Sequence, residues 1–472
     1  MKRPNFLFIL IDDMGWRDLS CYGSTFYETP NIDRLARRGM TFTDAYASCP
    51  VCSPTRASIM TGKYPATVGI TNFIAGAAKG KLLSVPYHHE LPLSEKTVAA
   101  ALRAGGYQTW HVGKWHLGKE PYWPEQHGFD VNVAGCHWGH PANGYFSPWR
   151  IPTLAERPDG EYLTDRLTDE AIALIERKDE RPFFLNMWYY SVHTPIQAKR
   201  EHIARFEAKA RELGLDKQEA LVPGEHFPSE HKKDKRVQRR VLQSNPVYAA
   251  MIWSLDQNIG RLLAALEAAG ETDNTVVVFT SDNGGLATAE GSPTCNAPLA
   301  EGKGWMYEGG TREPLLVQWP DAVRAGTRCS VPVTSTDFYP TLLEAAGLEL
   351  LPEQHCDGLS ILPLLQGGDR LEREAIYWHY PHYANQGGTP GSSVRMGDHK
   401  LIEFFEDGRL ELYNLREDIG EKDNLAGDLP DKTRTMHEML QAWRASVEAK
   451  IPAPNPDWAP AAAPALAGAG GR

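Results

Sequence analysis

The sequence predicts an α/β fold with a mostly parallel central sheet, and two observations support this prediction. Five short apolar runs have the length and composition of buried strands, and stretches with helical periodicity separate them. The runs are residues 5–11, 107–112, 183–188, 275–280 and 314–319. Strands that alternate with helices pair in parallel, because each helix carries the chain back along the sheet. We therefore expect a sheet flanked by helices.

Proline and glycine mark the ends of two of these helices. Pro30 begins a helix that Gly39 ends, and Asn245 and Pro246 begin an amphipathic helix that ends near Gly270. Proline suits the first turn of a helix, where its missing N–H would have no intrahelical partner, and glycine suits the end. The pattern predicts one large domain over residues 1–360.

The pattern changes beyond this domain. Short runs at residues 400–405 and 410–415, separated by an Asp-Gly turn, predict a small antiparallel sheet, and residues 431–449 predict one helix. Residues 361–451 are therefore expected to form a smaller C-terminal α+β domain. The Pro-, Ala- and Gly-rich residues 452–472 are expected to be a disordered tail.

The charge pattern predicts one insertion, and the overall charge limits the partners. Residues 200–245 are rich in Lys, Glu and Arg and predict a solvated helical insertion. The formal net charge of −11 argues against nucleic-acid binding, and an anionic substrate then needs a local basic pocket. No apolar stretch reaches the ~18 residues of a membrane span, so no membrane partner is expected.

The cysteines and the N-terminal residues bear on the compartment. The seven cysteines are an odd number and show no disulfide-framework spacing, which favours a reducing compartment. Asp12 and Asp13 follow the first apolar run, where a signal peptide would have small residues. We expect a cytoplasmic protein from the sequence as given, and a periplasmic or secreted one if a signal was removed.

Residues 52–62 are the most informative segment. Cys52, Pro54 and Arg56 stand at every second position, and Thr61 and Gly62 close the segment. This arrangement resembles the maturation signature of the type I sulfatases, Cys-x-Pro-x-Arg followed by Thr-Gly. Pro54 suits the first position of a helix that Gly62 ends, so residue 52 is expected at a helix N-terminus, where negative charge is stabilised.

The resemblance implies that a maturation enzyme oxidises Cys52 to formylglycine. The formylglycine hydrate offers one hydroxyl to attack sulfur and a second that expels sulfate, and Arg56 would hold the hydrate by charge-assisted hydrogen bonds. The match runs from Asn5 to about Arg312 and resumes over residues 412–426. It is similar to arylsulfatases and N-acetylgalactosamine-6-sulfatases, and it implies the alkaline-phosphatase-like α/β sandwich with a smaller C-terminal domain.

Oxygen-bearing side chains directly follow two of the predicted strands. Asp12 and Asp13 follow the first strand, and Asp282 and Asn283 follow the fourth, so their oxygens are expected at the carboxyl ends of strands. An all-oxygen set suits Ca²⁺ or Mg²⁺ better than zinc. The resemblance favours Ca²⁺ and adds the formylglycine from Cys52 to the ligands. The metal would act as a Lewis acid toward sulfate.

Two lysines and two histidines complete the catalytic set that the resemblance implies. Lys114, two residues from His116, would bind sulfate, and His116 would take a proton from the second hydroxyl during elimination. His193, after the third strand, would contact the ester oxygen and is a candidate general acid. Lys303, between two glycines, would share this oxygen. Either His193 or Lys303 could donate the proton to the departing alcohol.

Two further segments combine histidine, arginine and aromatic residues. Such side chains stack on sugar rings and hydrogen-bond to hydroxyl groups, so a sulfated sugar is the preferred substrate, with an aryl sulfate as a surrogate. The candidate substrate-binding residues are His137, His140, Arg150, His379, His382 and Arg395. The same residues would equally suit an aromatic cluster that joins the two domains.

Two other functions compete with sulfate hydrolysis. A phosphodiesterase or phosphonate monoester hydrolase of the same superfamily would use a similar metal and nucleophile, although the complete set of cysteine, arginine, lysine and histidine positions favours sulfate. A catalytically silent sugar-binding homologue would have lost a nucleophile or ligand, and none is lost. No motif specifies the sugar, the position of its sulfate, exo or endo action, or the oligomeric state.

Overall fold

The computed structural model describes residues 3–157 and 159–459. Its strands are β1 (Asn5–Ile11), β2 (Met40–Tyr46), β3 (Gln108–Gly113), β4 (Val131–Val133), β5 (Phe183–Trp188), β6 (Leu221–His226), β7 (Arg236–Arg240), β8 (Thr275–Ser281), β9 (Arg312–Gln318), β10 (Thr327–Cys329), β11 (Val333–Thr334), β12 (Ile376–Tyr380), β13 (Gly391–Met396), β14 (His399–Phe404) and β15 (Leu410–Asn414). Its α-helices are α1 (Pro30–Arg38), α2 (Cys52–Thr61), α3 (Pro65–Val68), α4 (Val98–Ala104), α5 (Leu163–Glu176), α6 (Arg200–Glu212), α7 (Pro246–Ala268), α8 (Glu308–Thr311), α9 (Phe338–Ala345), α10 (Leu362–Leu365) and α11 (Pro430–Ser446).

The large sheet has the strand order β10-β2-β9-β8-β1-β5-β3-β4, with β11 beside β2. β1 pairs in parallel with β5 and β8, β3 pairs in parallel with β5 and β4, and β9 runs antiparallel to both of its neighbours. Every residue of β1, β5 and β8 is buried, as expected for strands covered on both faces. The predicted α/β fold with a mostly parallel sheet is confirmed.

Helices cover the two faces of this sheet and bury two separate apolar cores. One core combines β1, β5 and β8 side chains with α1, α5, α6 and α7, and the other combines the opposite strand faces with α2, α4 and α9. The long helix α7 begins where the sequence predicts, because the Asn245 side chain accepts hydrogen bonds from the backbone of Val247 and Tyr248. Among the described residues, no helix is both long and apolar enough to span a bilayer.

The charged insertion differs in part from its prediction. Residues 200–245 contain the expected helix α6, and they also contain a hairpin of the antiparallel strands β6 and β7. Phe227 and Val237 of this region pack against Trp305 in a small apolar cluster of their own. The insertion therefore contains a β-hairpin as well as the predicted helix, and a few apolar side chains within its highly charged sequence hold it in place.

The C-terminal region contains the antiparallel sheet β12-β13-β14-β15 with α11 on one face. Met436 and Leu440 of α11 pack against Val394, Leu401 and Leu412, as expected for an amphipathic helix on a sheet. The beginning of the predicted tail packs on the rest of the protein, because the Leu83 N–H donates to the residue 453 carbonyl and residues 82 and 454 form a β-bridge. The rest of the predicted tail, residues 460–472, lies outside the described residues, and the domain boundaries stay a prediction.

Candidate active site

The carboxyl ends of four adjacent strands carry the polar residues that the sequence analysis selects. Leu10 of β1 lies level with Trp188 of β5 and with Thr280 of β8, so the residues that follow these strands emerge side by side. They are Asp12 and Asp13 after β1, Lys114 and His116 after β3, His193 after β5, and Asp282 and Asn283 after β8. Ligand sites in parallel α/β sheets lie at this edge.

Cys52 is the first residue of helix α2, which is buried along its whole length. The helix ends at Gly62, whose φ of 70° is left-handed and whose N–H donates to the Ser58 carbonyl. The Cys52 Sγ lies 3.3 Å from Nδ1 of His116, and the neighbouring Ser53 hydroxyl donates to the His116 carbonyl at 3.0 Å. The helix N-terminus therefore presents residue 52 directly to the imidazole of His116.

Three cations pair with three fully buried carboxylates behind Cys52. The Lys114 ammonium donates to both oxygens of Asp12, at 2.9 and 2.8 Å. Arg56 donates to Asp282 through Nε at 2.8 Å. The closeness of these groups is a direct result of the sheet, because Gly113 has a φ of 110° and a Cβ there would lie 1.9 Å from the Trp188 carbonyl oxygen. Only glycine allows β3 and β5 to approach so closely at this point.

Lys303 joins the third carboxylate, Asp13, to His193. Its ammonium donates to Asp13 at 2.8 Å and lies 3.0 Å from Nε2 of His193. Nδ1 of His193 lies 2.7 Å from the Thr194 carbonyl oxygen, which only accepts, so Nδ1 carries the hydrogen. Nε2 of His193 is therefore the unprotonated nitrogen and accepts from Lys303.

The acidic and amide oxygens fit a hard divalent cation. The Asn283 amide donates to Asp13 at 2.9 Å, but its Oδ1 is buried without a hydrogen-bond partner. An unpaired buried acceptor is costly, and a cation would satisfy it. Burial raises the pKa of Asp12 well above its usual range, and repulsion from Asp282 and Asp13 adds to the rise, so a cation would also relieve this repulsion.

Two different sets of residues in this site could bind a divalent cation. Ligand atoms of Asp12, Asp13 and His193 all lie within 4.8 Å of one another. We favour the all-oxygen set with Asp282 and Asn283, because both nitrogens of His193 already have hydrogen-bond partners. Oxygen ligands are also the preference of Ca²⁺ and Mg²⁺.

Burial and the nearby cations keep both histidines neutral. Burial lowers the pKa of His116 well below its usual range, and Lys114 lowers it further. The pKa of His193 falls for the same reason, with burial first and Lys303 second. Burial raises the pKa of the Cys52 thiol, although Lys114 and Lys303 act in the opposite direction. The two imidazoles are therefore bases, and the unmodified thiol is a weak nucleophile.

A cavity of about 650 Å³ opens above Cys52, and we call it the catalytic cavity. His116, His193 and Lys303 line its floor, and two of the predicted substrate-binding residues, His137 and His140, line its wall. Trp138 of the same predicted segment also lines the wall. Sequence reasoning did not select four further polar or aromatic lining residues on other loops, which are Phe73, Glu290, Asn385 and Gln386. The sequence distinguishes these residues only by their polar or aromatic side chains, and many other loop residues have such side chains.

Four predicted substrate-binding residues lie away from this cavity. Arg150 is exposed, and its backbone N–H donates to Glu156. His379 is buried and hydrogen-bonded to the Ser392 hydroxyl and the Lys450 carbonyl. These two residues are thus not placed to contact a substrate above Cys52.

The other two predicted residues connect the C-terminal sheet to the large domain. His382 is buried and lies 2.8 Å from the Thr71 hydroxyl, and Arg395 forms a 2.8 Å ion pair with Asp44. A role in joining the two domains therefore describes His382 and Arg395 better than a role in binding sugar, because their polar atoms already have buried partners.

The fold and the site define a hydrolase of anionic esters, with a nucleophile position at a helix N-terminus beside cations and neutral bases. The chain belongs to the sulfatase family: the family model described as Sulfatase matches residues 4–348, and the model described as N-sulphoglucosamine sulphohydrolase, C-terminal, matches residues 301–446. The protein is accordingly a sulfuric ester hydrolase with the alkaline-phosphatase-like fold. The resemblance seen in residues 52–62 is confirmed.

Individual relatives agree with this assignment over most of the chain. A sulfatase of Formosa agariphila is 32% identical, over 94% of this chain and 89% of the relative. The N-acetylgalactosamine-6-sulfatase of Mus musculus is 31% identical, over 84% of this chain and 71% of the relative. A crystal structure of a protein with its substrate D-glucosamine-2-N,6-O-disulfate superposes with a TM-score of 0.74 at 25% identity, over 95% of this chain and 98% of that one.

Proposed function

We propose that this sulfatase removes sulfate from a sulfated sugar, with a formylglycine made from Cys52 as nucleophile and Ca²⁺ as the bound metal. One observation carries the proposal: Cys52 begins a buried helix at the floor of a cavity, next to His116 and in front of three buried carboxylates with three cations. A maturation enzyme that oxidises Cys52 to formylglycine is the partner that this proposal requires.

The cations around residue 52 determine where the sulfate group lies. The hydrated formylglycine supplies a hydroxyl nucleophile, and the metal supplies Lewis-acid stabilisation of the sulfate oxygens. Asp12, Asp13, Asp282 and Asn283 would hold that metal, with the modified residue 52 completing the set. Arg56, held by Asp282, then fixes the orientation of residue 52 from within α2.

Lys114 and His116 have different roles: Lys114 binds the sulfate group, and His116 acts as a base. The Lys114 ammonium is completely buried and donates to Asp12. It is therefore placed to neutralise the negative charge of a sulfate group bound next to Asp12. His116 is neutral and faces residue 52 through Nδ1, which suits a base that removes a proton from the second hydroxyl and so expels the sulfate.

His193 and Lys303 are placed for the departing alcohol. Because Nε2 of His193 accepts a hydrogen bond from Lys303, the proton between them belongs to Lys303. Burial alone would lower the pKa of Lys303, but the combined attraction of Asp13, Cys52, Glu290 and Asp12 raises it, so the lysine keeps its charge. We therefore assign Lys303 as the proton donor to the ester oxygen and His193 as the residue that orients it.

The wall of the catalytic cavity supports a sugar as the alcohol. His137, His140 and Trp138 provide hydrogen-bonding edges and an aromatic face, and the Glu290 carboxylate accepts from the Gln386 amide at 3.0 Å. Such groups bind hydroxyls and apolar ring faces. Two relatives support a 6-sulfated amino sugar: the N-acetylgalactosamine-6-sulfatase of Mus musculus and the protein whose substrate is D-glucosamine-2-N,6-O-disulfate.

The test is a substrate panel on protein co-produced with a formylglycine-generating enzyme. We expect kcat/KM for 4-nitrophenyl sulfate to exceed that for 4-nitrophenyl phosphate at least about a hundredfold, and sulfate release from 6-sulfated N-acetylgalactosamine or N-acetylglucosamine. A preference for the phosphate or for a phosphonate ester would overturn the proposal in favour of the phosphoesterase reading. Activity on nitrophenyl sulfate with no activity on any sulfated sugar would overturn the substrate class alone.

A cytoplasmic location stays a prediction, which cell fractionation would test.

A further inference from the structure

A second cavity adjoins the catalytic cavity. Its volume is about 590 Å³, and residues 75–79, Glu230 and His231 line it. Phe73 and Asn385 line both cavities, so the two meet at these side chains. Ligand pockets typically measure about 300–1,000 Å³. Each cavity is thus large enough for a sugar ring, and the pair forms one continuous binding surface.

Hydrogen bonds join the three segments that surround the second cavity. The Glu230 N–H donates to the Lys79 carbonyl at 2.8 Å, which joins the insertion to the loop after α3. The Lys232 ammonium donates to the Asn385 carbonyl at 2.9 Å, which joins the insertion to the C-terminal domain. The cavity is therefore formed by the folded protein and does not need a ligand to assemble it.

The shared wall is fixed as well. The Tyr87 hydroxyl lies 2.8 Å from the carbonyls of both Phe73 and Gly76, and the Phe73 N–H donates to the Asn72 side chain at 2.9 Å. The same Asn72 oxygen accepts from the buried Tyr380 hydroxyl. Phe73 thus stands at a fixed place between the two cavities, where an aromatic ring can pack on a sugar ring.

Both cavities carry charged side chains. Lys303 and Glu290 line the catalytic cavity, and Lys79 and Glu230 line the second cavity together with His231. Lys79 lies 3.3 Å from Glu230, but both side chains are at least one-third exposed, and such a pair is weak. The Lys79 ammonium is therefore free to exchange this contact for an anionic group on a ligand.

We propose that the second cavity binds the sugar next to the sulfated ring, with Phe73 against that sugar and Lys79 near its acidic substituent. This inference rests on the proposed function and extends it: the substrate is an oligosaccharide or polysaccharide chain, and the sulfated ring occupies the catalytic cavity. An acidic substituent, either a carboxylate or a second sulfate, is the group that Lys79 would contact.

The experiment fills the second cavity without touching the catalytic residues. Ala77→Trp places a large side chain in the cavity from an exposed position, and Ala208→Trp, at an exposed position of α6, is the matched control. The substrates are 4-nitrophenyl sulfate, the sulfated monosaccharide that the panel identifies, and a tetrasaccharide that carries the same sulfated ring at its end. Released sulfate is measured for each.

We expect the wild type and Ala208→Trp to cleave the tetrasaccharide at least about tenfold more efficiently than the monosaccharide, a difference of about 1.4 kcal/mol. Ala77→Trp should lose this advantage and keep its rate on nitrophenyl sulfate. A wild type without the advantage, or an Ala77→Trp variant that retains it, would overturn the inference and leave the proposed function standing. A wild type that releases sulfate from no ester at all would overturn the proposed function, and this inference with it.

Discussion

Two buried clusters of charged side chains in this protein have the same composition and different roles. Each contains three carboxylates and three cations, and each is almost completely shielded from solvent. The catalytic cluster consists of Asp12, Asp13, Asp282, Arg56, Lys114 and Lys303. The interdomain cluster consists of Asp44, Glu308, Glu421, Arg312, Arg395 and Lys400.

The interdomain cluster joins the large domain to the C-terminal sheet. Lys400 of β14 lies 2.9 Å from Glu308 and 3.0 Å from Glu421, and Glu308 also pairs with Arg312 at 2.6 Å. The Tyr46 hydroxyl donates to the same glutamate at 2.8 Å. These charges pair with one another, so the cluster holds two parts of the chain together.

The catalytic cluster is surrounded by groups that do not contribute an ion pair to the fold. The Asn283 Oδ1 has no hydrogen-bond partner, two neutral histidines lie beside it, and a cavity of about 650 Å³ opens above Cys52. Buried charge alone therefore does not identify an active site. What distinguishes the catalytic cluster is the adjoining cavity, which Cys52 and two neutral histidines line.

Removal of the nucleophile should have the largest effect on activity of all the substitutions considered. It should leave the ion pairs of both clusters in place. We expect Cys52→Ala to lower kcat at least about 10⁴-fold. The melting temperature should change by less than about 3 °C, because a small side chain is lost and every ion pair stays. Steady-state assay on nitrophenyl sulfate and a thermal melt check both parts. Substantial turnover by the variant would contradict the mechanism.

Asp282→Ala should remove the metal as well as the activity. The substitution takes away one carboxylate ligand and the nearest ion-pair partner of Arg56, so we expect a loss of about 10³-fold in kcat and a Ca²⁺ content near zero by elemental analysis. Chelation of the wild type should lower its melting temperature and activity, and Ca²⁺ should restore both. A variant that retains calcium at full occupancy would refute the ligand assignment.

Glu308→Ala should have the opposite profile. Loss of this carboxylate leaves Lys400 and Arg312 buried with fewer partners, which typically costs about 3–5 kcal/mol in the free energy of unfolding. The folded fraction should keep its kcat within about twofold, since Glu308 does not line the catalytic cavity. Urea unfolding followed by activity measurement tests this. A large fall in kcat without a loss of stability would remove the distinction between the clusters.

The interdomain cluster should also show a modest pH dependence. Burial and the neighbouring Glu308 raise the pKa of Glu421 from 4.5 to about 7, against the attraction of Lys400. The folded protein then binds more protons than the unfolded chain between these pH values, so stability is highest at the acidic end and falls as the pH rises. The slope from this group is at most about 1.4 kcal/mol per pH unit. Glu421→Gln should flatten the slope, and an unchanged slope would assign it to other groups.

The catalytic positions could be predicted because the motifs directly follow apolar strands. Because β8, β1, β5 and β3 are parallel and adjacent, Asp12, Lys114, His193 and Asp282 meet at one edge of the sheet. Their selection also depended on the resemblance of residues 52–62 to the sulfatase signature. The sequence analysis did not select β2, which has no continuous apolar run because Thr41, Thr43 and Asp44 interrupt it. It did not select β6 and β7, which lie in a highly charged segment.

The wall of the catalytic cavity could not be predicted in the same way. Phe73, Glu290 and Gln386 come from loops that only the tertiary fold brings together. Conversely, His379 and Arg395 have residue types suited to a sugar site, yet they are buried in hydrogen bonds and ion pairs elsewhere. Residue type specifies what a side chain can bind, and the packing of distant segments decides what it meets.

The most direct test of the account is the mass of the peptide that contains Cys52, from protein produced together with a formylglycine-generating enzyme. Replacement of CH₂SH by an aldehyde lowers the mass by about 18 Da, and we expect this form in active protein, with activity in proportion to its share. Fully active protein in which Cys52 remains a thiol would contradict the proposed nucleophile.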